Sequence, residues 1–129
     1  MTRYLTAEQV LFIHARLIEE TGGEHGVRDL GLLQAAVARP QATFDGEELY
    51  PDVFAKAAAL MESLVNNHPF LDGNKRTGIA AAALFLALNG VQLTASNPQV
   101  VEFTMQVAQS QSDVATMTRW LQQHCKPSV

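Results

Sequence analysis

The sequence predicts an all-α fold: a compact helical bundle around a central apolar helix at about 75–89, with a short flap or hairpin near 41–50. Three observations carry this reading. Apolar residues recur at helical spacing along nearly the whole chain, as Val10, Ile13, Leu17 and Ile18 do. Turn formers such as Gly22, Gly23, Pro40, Gly46, Pro51 and Gly90 fall between the periodic segments. The run Gly78-Ile79-Ala80-Ala81-Ala82-Ala83-Leu84-Phe85-Leu86-Ala87-Leu88 is apolar on every side, which requires other helices to surround it.

Each element has a start and a stop. Thr6, with Gln9 three residues on, forms a capping box for the first helix, and Gly22-Gly23 ends it. Asp29 caps a second helix, Leu30 to Ala38, which stops ahead of Pro40. Gln41 to Tyr50 is polar and aperiodic, hence the flap. Pro51-Asp52 opens a third helix whose Val53, Phe54, Ala57, Leu60, Met61, Leu64 and Val65 form a broad apolar face. A polar loop follows, then the apolar helix, closed by Asn89-Gly90. Two more helices occupy roughly 98–109 and 114–124, the latter behind a Ser112 or Asp113 cap. No repeat or linker interrupts the chain, so residues 1–129 are expected to form a single domain.

Composition narrows the function classes. With 47% hydrophobic and 17% charged residues, the chain has the balance of a folded protein. Nine Lys plus Arg against thirteen Asp plus Glu give a net charge of −4, which argues against nucleic acid as a partner. The lone Cys125 has no partner for an internal disulfide, which suits a reducing compartment. The start of the chain lacks a signal-peptide apolar block, and the longest apolar run is too short to span a bilayer. A cytoplasmic protein without a membrane partner is the expectation.

The chemistry is concentrated in His68-Pro69-Phe70-Leu71-Asp72-Gly73-Asn74-Lys75-Arg76-Thr77, at the start of the apolar helix. Free N–H groups and the helix dipole attract anions at such an end. Gly73 lets the backbone approach a ligand closely, and the N–H groups of Gly73, Asn74, Lys75 and Arg76 can converge on one phosphate. Lys75 and Arg76 add full positive charge there. Asp72 beside a phosphate suits Mg²⁺, which commonly takes one carboxylate plus phosphate oxygens and waters. His68 offers an imidazole suited to take a proton from an attacking hydroxyl. Phe70 is expected to pack and anchor the loop. The bland alternatives are a terminal histidine satisfied by a carbonyl, Asp72 and Asn74 as helix caps, and a solvated cation pair; they explain neither Gly73 nor the spacing. His14 lies on an apolar face and reads as a hydrogen-bonded core histidine, Arg39 as a surface cation, and Cys125 as a bystander.

These residues resemble the signature of the Fic/Doc family. Its nucleotidyl-transferring branch reads His-x-Phe-x-Asp/Glu-Gly-Asn-Gly-Arg-x-x-Arg; here Lys75 replaces a glycine, and Ile79 falls where the second arginine would. Asn74-Lys75-Arg76-Thr77 is instead similar to the Doc (death-on-curing) branch. The resemblance implies a Fic fold and a toxin of a toxin–antitoxin pair. Such a toxin transfers the γ-phosphate of ATP, with Mg²⁺, to a Ser/Thr hydroxyl of a protein in the translation machinery, elongation factor Tu being the expected target. His68 would be the general base, Asp72 the metal ligand, and Gly73, Asn74, Lys75 and Arg76 the nucleotide phosphate site. The flap would align the target, and restraint would come from a small, partly disordered antitoxin. A Fic-type adenylyl or other nucleotidyltransferase is the alternative. A non-catalytic binding module ranks last, because His68 and Asp72 are both present.

Overall fold

A computed structural model describes residues 1–128 as six helices and two small antiparallel sheets, in agreement with the helical bundle and flap. The helices are α1 (Ala7–Thr21), α2 (Leu30–Ala38), α3 (Val53–Asn66), α4 (Asn74–Leu88), α5 (Asn97–Ala108) and α6 (Val114–Gln123). Their starts follow the capping chemistry. Thr6 and Gln9 form the reciprocal box of α1, and Asp29, Asp52 and Asp113 each accept a backbone N–H of their helix. Ser96 and Gln99 form a second capping box, so α5 begins one residue ahead of Pro98.

The centre of the molecule is a pair of helices, α3 and α4. Leu60, Met61, Leu64 and Val65 of α3 meet Ala81, Ala82, Phe85 and Leu86 of α4 in one buried cluster, with Phe103, Met117 and Leu121 closing it from α5 and α6. Each large side chain so buried contributes about 1.5–3 kcal/mol. The apolar stretch in α4 does not face protein all round, since Leu84 and Ala87 point outward. Gly78 brings the two helices together: a Cβ there would lie 2.5 Å from Cγ2 of Val65. The close crossing sets the N-terminus of α4 beside the C-terminus of α3, and the motif loop bridges the gap between them.

Strand β1 (Thr43–Phe44) pairs with β2 (Glu47–Glu48) in the expected flap. A second sheet pairs β3 (Val91–Leu93) with β4 (Cys125–Pro127) and ties the end of α4 to the last described residues. Strands of three residues leave no readable period, so the sequence reading passed over this sheet. Cys125 therefore has a structural place opposite Leu93, and burial pushes its thiol up from the ordinary value.

Candidate active site

The motif loop is fixed along both edges. On one side lies the segment between α1 and α2. The N–H groups of Arg28 and Asp29 donate to the Pro69 carbonyl at 2.8 and 3.0 Å, and Leu71 N–H donates to Gly26 O at 3.1 Å. The Arg28 guanidinium adds Nε to His68 O at 2.6 Å and Nη2 to Asn67 O at 2.8 Å. Three consecutive carbonyls, Asn67, His68 and Pro69, are thus held from one strap. On the other side, Asn74 brackets the Phe70 backbone, accepting its N–H at Oδ1 and donating Nδ2–H to its carbonyl, both at 3.0 Å. Phe70 is buried, and the His14 ring stacks on it at 3.8 Å between centroids. His14 Nε2–H donates to Asp72 O at 2.7 Å, so the expected core histidine also positions the loop.

His68 occupies the turn these ties create. Its φ of 51° is left-handed, a conformation that persists in a non-glycine residue when its surroundings impose it. Its exposed side chain extends toward the start of α4, where Asn74 Nδ2 lies 3.4 Å from Nδ1. A contact of that length does not fix the tautomer.

At the start of α4, Gly73 adopts φ 79° in the N-cap position, and no side chain caps the helix. Its N–H is given to Asp72 Oδ1 at 2.8 Å. The first-turn donors without an acceptor among the described residues are therefore the N–H groups of Asn74, Lys75 and Arg76. A cavity of 150 Å³ lined by Asp72, Gly73, Asn74, Lys75 and Arg76 lies there. Lys75 is exposed. Arg76 instead rests on the C-terminal end of α1, donating to Thr21 Oγ1 and, at 2.9 Å, to Gly22 O, with Asp72 Oδ1 at 3.8 Å. A cation at a helix C-terminus is favourably placed. The guanidinium must turn from that seat, or use its remaining N–H groups, to grip a phosphate.

Asp72 suits a cation held mainly by phosphate. Among the described residues no group of three or more His, Cys, Asp or Glu forms a ready-made cage. Asp72 is ionised by its setting: N–H donation from Glu24, then from Gly73, with Arg76 nearby, holds its carboxyl below the ordinary value. Each oxygen accepts one backbone N–H, Oδ2 from Glu24 at 3.1 Å, and keeps a further lone pair for a ligand. Gly23 is required for this approach, because a Cβ there would lie 2.7 Å from Asp72 Oδ2.

The flap is anchored by a residue the sequence reading did not single out. Lys56 is 2% exposed, and its Nζ donates to Pro40 O at 3.2 Å, Tyr50 O at 2.5 Å and Glu48 Oε1 at 2.7 Å. One buried ammonium thus holds both ends of the flap and its second strand. Arg39 is not a free surface cation: it donates to Glu62 Oε1 at 2.5 Å, Ser63 Oγ at 2.9 Å and Tyr50 Oη at 3.0 Å. The signal for Lys56 was its spacing, four residues after Asp52 and four before Leu60, which puts it on the buried face of α3.

Two outcomes test this geometry. Replacing Arg28 by Met frees the carbonyls of Asn67 and His68. It is expected to lower stability by only about 1 kcal/mol, because the residue is exposed. Activity should fall far more, about tenfold to a hundredfold, because a misplaced reacting group is costly. Activity and stability falling in proportion would remove Arg28 as a positioning residue. For Asp72, a depressed folded-state value means that its ties to Glu24 and Gly73 are present above the ordinary carboxylate range and are lost as pH falls through the lowered value. Side-chain ¹³C titration is expected to find Asp72 below an unperturbed aspartate, and a normal or raised value contradicts the arrangement.

Comparison with known proteins gives the family. The family model described as Fic/DOC family matches residues 4–86, which include α1 to α3, the flap, the loop and most of α4. The chain is 57% identical over 95 residues to "Toxin Doc" of Mycolicibacterium smegmatis (strain ATCC 700084 / mc(2)155), covering 74% of this chain and 71% of that protein. It is 33% identical over 115 residues to "Protein kinase doc" of Escherichia phage P1, covering 89% and 90%. With the His68 loop, the α4 N-terminus and the flap arranged as described, this chain belongs to the Fic/Doc family, in its Doc branch.

Proposed function

We propose that this protein is a Doc-like toxin that transfers the γ-phosphoryl group of ATP to a Ser or Thr hydroxyl of a target protein. The observation that carries the reading is the adjacency of the exposed His68 ring to the uncapped N-terminus of α4, with the 150 Å³ cavity at that terminus. A base and a phosphate cradle so joined suit in-line transfer to an oxygen nucleophile. The relatives named toxin and protein kinase support the same reading.

In this reading the target hydroxyl gives its proton to the His68 imidazole as its oxygen bonds to the γ-phosphorus. The bond from that phosphorus to the β–γ bridging oxygen breaks, and ADP leaves. The N–H groups of Asn74, Lys75 and Arg76, with the Lys75 and Arg76 cations, hold the phosphate oxygens. Mg²⁺ bound at Asp72 would neutralise phosphate charge. The flap, held by Lys56, aligns the target segment, which by family resemblance belongs to a translation protein such as elongation factor Tu. A small antitoxin is the proposed restraining partner, and the cytoplasm the proposed site of action. Ile79 favours phosphoryl over adenylyl transfer, because it removes the arginine that would orient the nucleotide with its α-phosphate at the acceptor.

The test is paired labelling of cell lysate with γ-³²P-ATP and α-³²P-ATP, wild type beside His68→Ala and Asp72→Asn. Label from the γ position alone is expected, abolished in His68→Ala and weakened, with a reduced Mg²⁺ response, in Asp72→Asn. Label from the α position would establish nucleotidyl transfer instead. Full activity of His68→Ala would remove it as the base.

A further inference from the structure

A groove of 630 Å³ follows the seam between α2 and α3, lined by Ala35, Ala38, Arg39, Ala42, Ser63 and Asn67. The two helices run antiparallel there. Arg28, ahead of α2, donates to the carbonyl of Asn67 at the end of α3, and Arg39, just after α2, donates to Ser63 one turn earlier. One end of the groove is therefore Ala42, the residue before β1 of the flap, and the other is Asn67, the residue before His68. A chain lying in it leads from the flap to the proposed base.

The groove has one apolar wall and one that carries hydrogen-bond donors. Ala35 and Ala38, one helical turn apart on α2, leave space for a bulky side chain. Opposite them, the Arg39 side chain is 29% exposed, and its Nε and Nη1 are taken by Tyr50, Glu62, Ser63 and the Ala59 carbonyl. Its Nη2 group has no acceptor among the described residues. Ser63 is 4% exposed, and its Oγ accepts from Arg39 at 2.9 Å while its own O–H has no acceptor among the described residues. Buried donors without acceptors are costly, so a ligand that brings carbonyl oxygens is favoured here. Charge narrows the occupant further. Arg39 is the only charged residue lining the groove, and Glu62 Oε1 at 2.5 Å already neutralises it. A charged side chain would lose its hydration in the groove without gaining a partner.

Resting on the transfer to a protein hydroxyl proposed above, we infer that this groove seats the residues of the protein substrate that flank the acceptor Ser or Thr. An extended backbone in the groove offers carbonyls to Arg39 Nη2 and the Ser63 hydroxyl, and it turns an uncharged, bulky apolar side chain onto Ala35 and Ala38. The place of that side chain follows from length. Ser63 and Asn67 are one helical turn apart, about 6 Å, which about two extended residues span. With His68 next in the chain, the apolar residue falls within about four residues of the acceptor. Apolar contact of this kind discriminates by roughly 10–200-fold, so the groove sets a preference around the acceptor rather than a fixed sequence.

The test is γ-³²P-ATP labelling of total lysate protein by the full chain, wild type beside Ala38→Trp, which fills the groove, and Ala35→Leu, a milder filling of the same wall. Both alanines are exposed and lie outside the phosphate cradle. Labelling by Ala38→Trp is expected to fall about tenfold to a hundredfold at low lysate concentration and to recover as the concentration is raised. Ala35→Leu should show a smaller loss of the same kind. Mg·ATP binding by calorimetry and the circular dichroism spectrum should match wild type in both. Mass-spectrometric sequencing of the labelled peptides is expected to find a bulky apolar residue within about four positions of the modified Ser or Thr. Labelling at the wild-type rate by both variants overturns the assignment. So does a loss of labelling that parallels a loss of Mg·ATP binding, since the effect would then not be on the protein substrate. Charged residues throughout that window refute the apolar preference. Wild type that labels no protein at all would instead refute the transfer reading on which the inference rests.

Discussion

The bracketing of one short loop supports everything else in the site. Residues 67–71 turn through the left-handed His68, and their backbone groups are taken up by the strap at 26–29 on one edge and by the Asn74 side chain on the other. Left unpaired and buried, such groups are costly, about 1–3 kcal/mol each. The strap is itself wholly exposed, so its order comes from hydrogen bonding to the loop rather than from burial. Loop and strap thus define each other. The left-handed turn at His68 and the bare N-terminus of α4 both follow from that mutual arrangement.

Charge is distributed around this scaffold with little redundancy. The chain carries net negative charge, yet the cavity at α4 collects Lys75, Arg76 and the positive end of the helix dipole in one place. Asp72 is the counterweight, kept ionised by backbone N–H groups rather than by burial. Arg76, seated against the end of α1, links α1 to the same cavity. At the far side, Lys56 makes the flap part of α3 instead of a free loop. The motif loop places the base His68 and the carboxylate Asp72, and the first turn of α4 places the two cations Lys75 and Arg76.

Much of this was legible in the sequence, for identifiable reasons. Helix starts were marked by Thr6, Asp29 and Asp52, because capping is local chemistry that does not depend on tertiary context. The motif marked the candidate site, since His68, Asp72, Gly73, Asn74 and Arg76 lie within nine residues. What escaped was non-local. Arg28 lies forty residues before His68, and nothing in its neighbourhood marks it. Asn74 was read for its position at the helix start, but its side chain faces back to Phe70. The β3–β4 pair joins segments thirty-odd residues apart, with three residues in each. Buried Lys56 was hidden because a charge in an apolar face reads as solvated until three oxygens are found around it.

The central claim is that the first turn of α4, beside His68, receives the phosphates of the donor. Titrating ¹⁵N-labelled protein with Mg·ATP while following backbone and arginine side-chain resonances tests it most directly. The amides of Asn74, Lys75 and Arg76 are expected to move first and furthest, and the Arg76 guanidinium to shift as it leaves Thr21. Saturating nucleotide that leaves those three amides in place, while perturbing another surface, would contradict it.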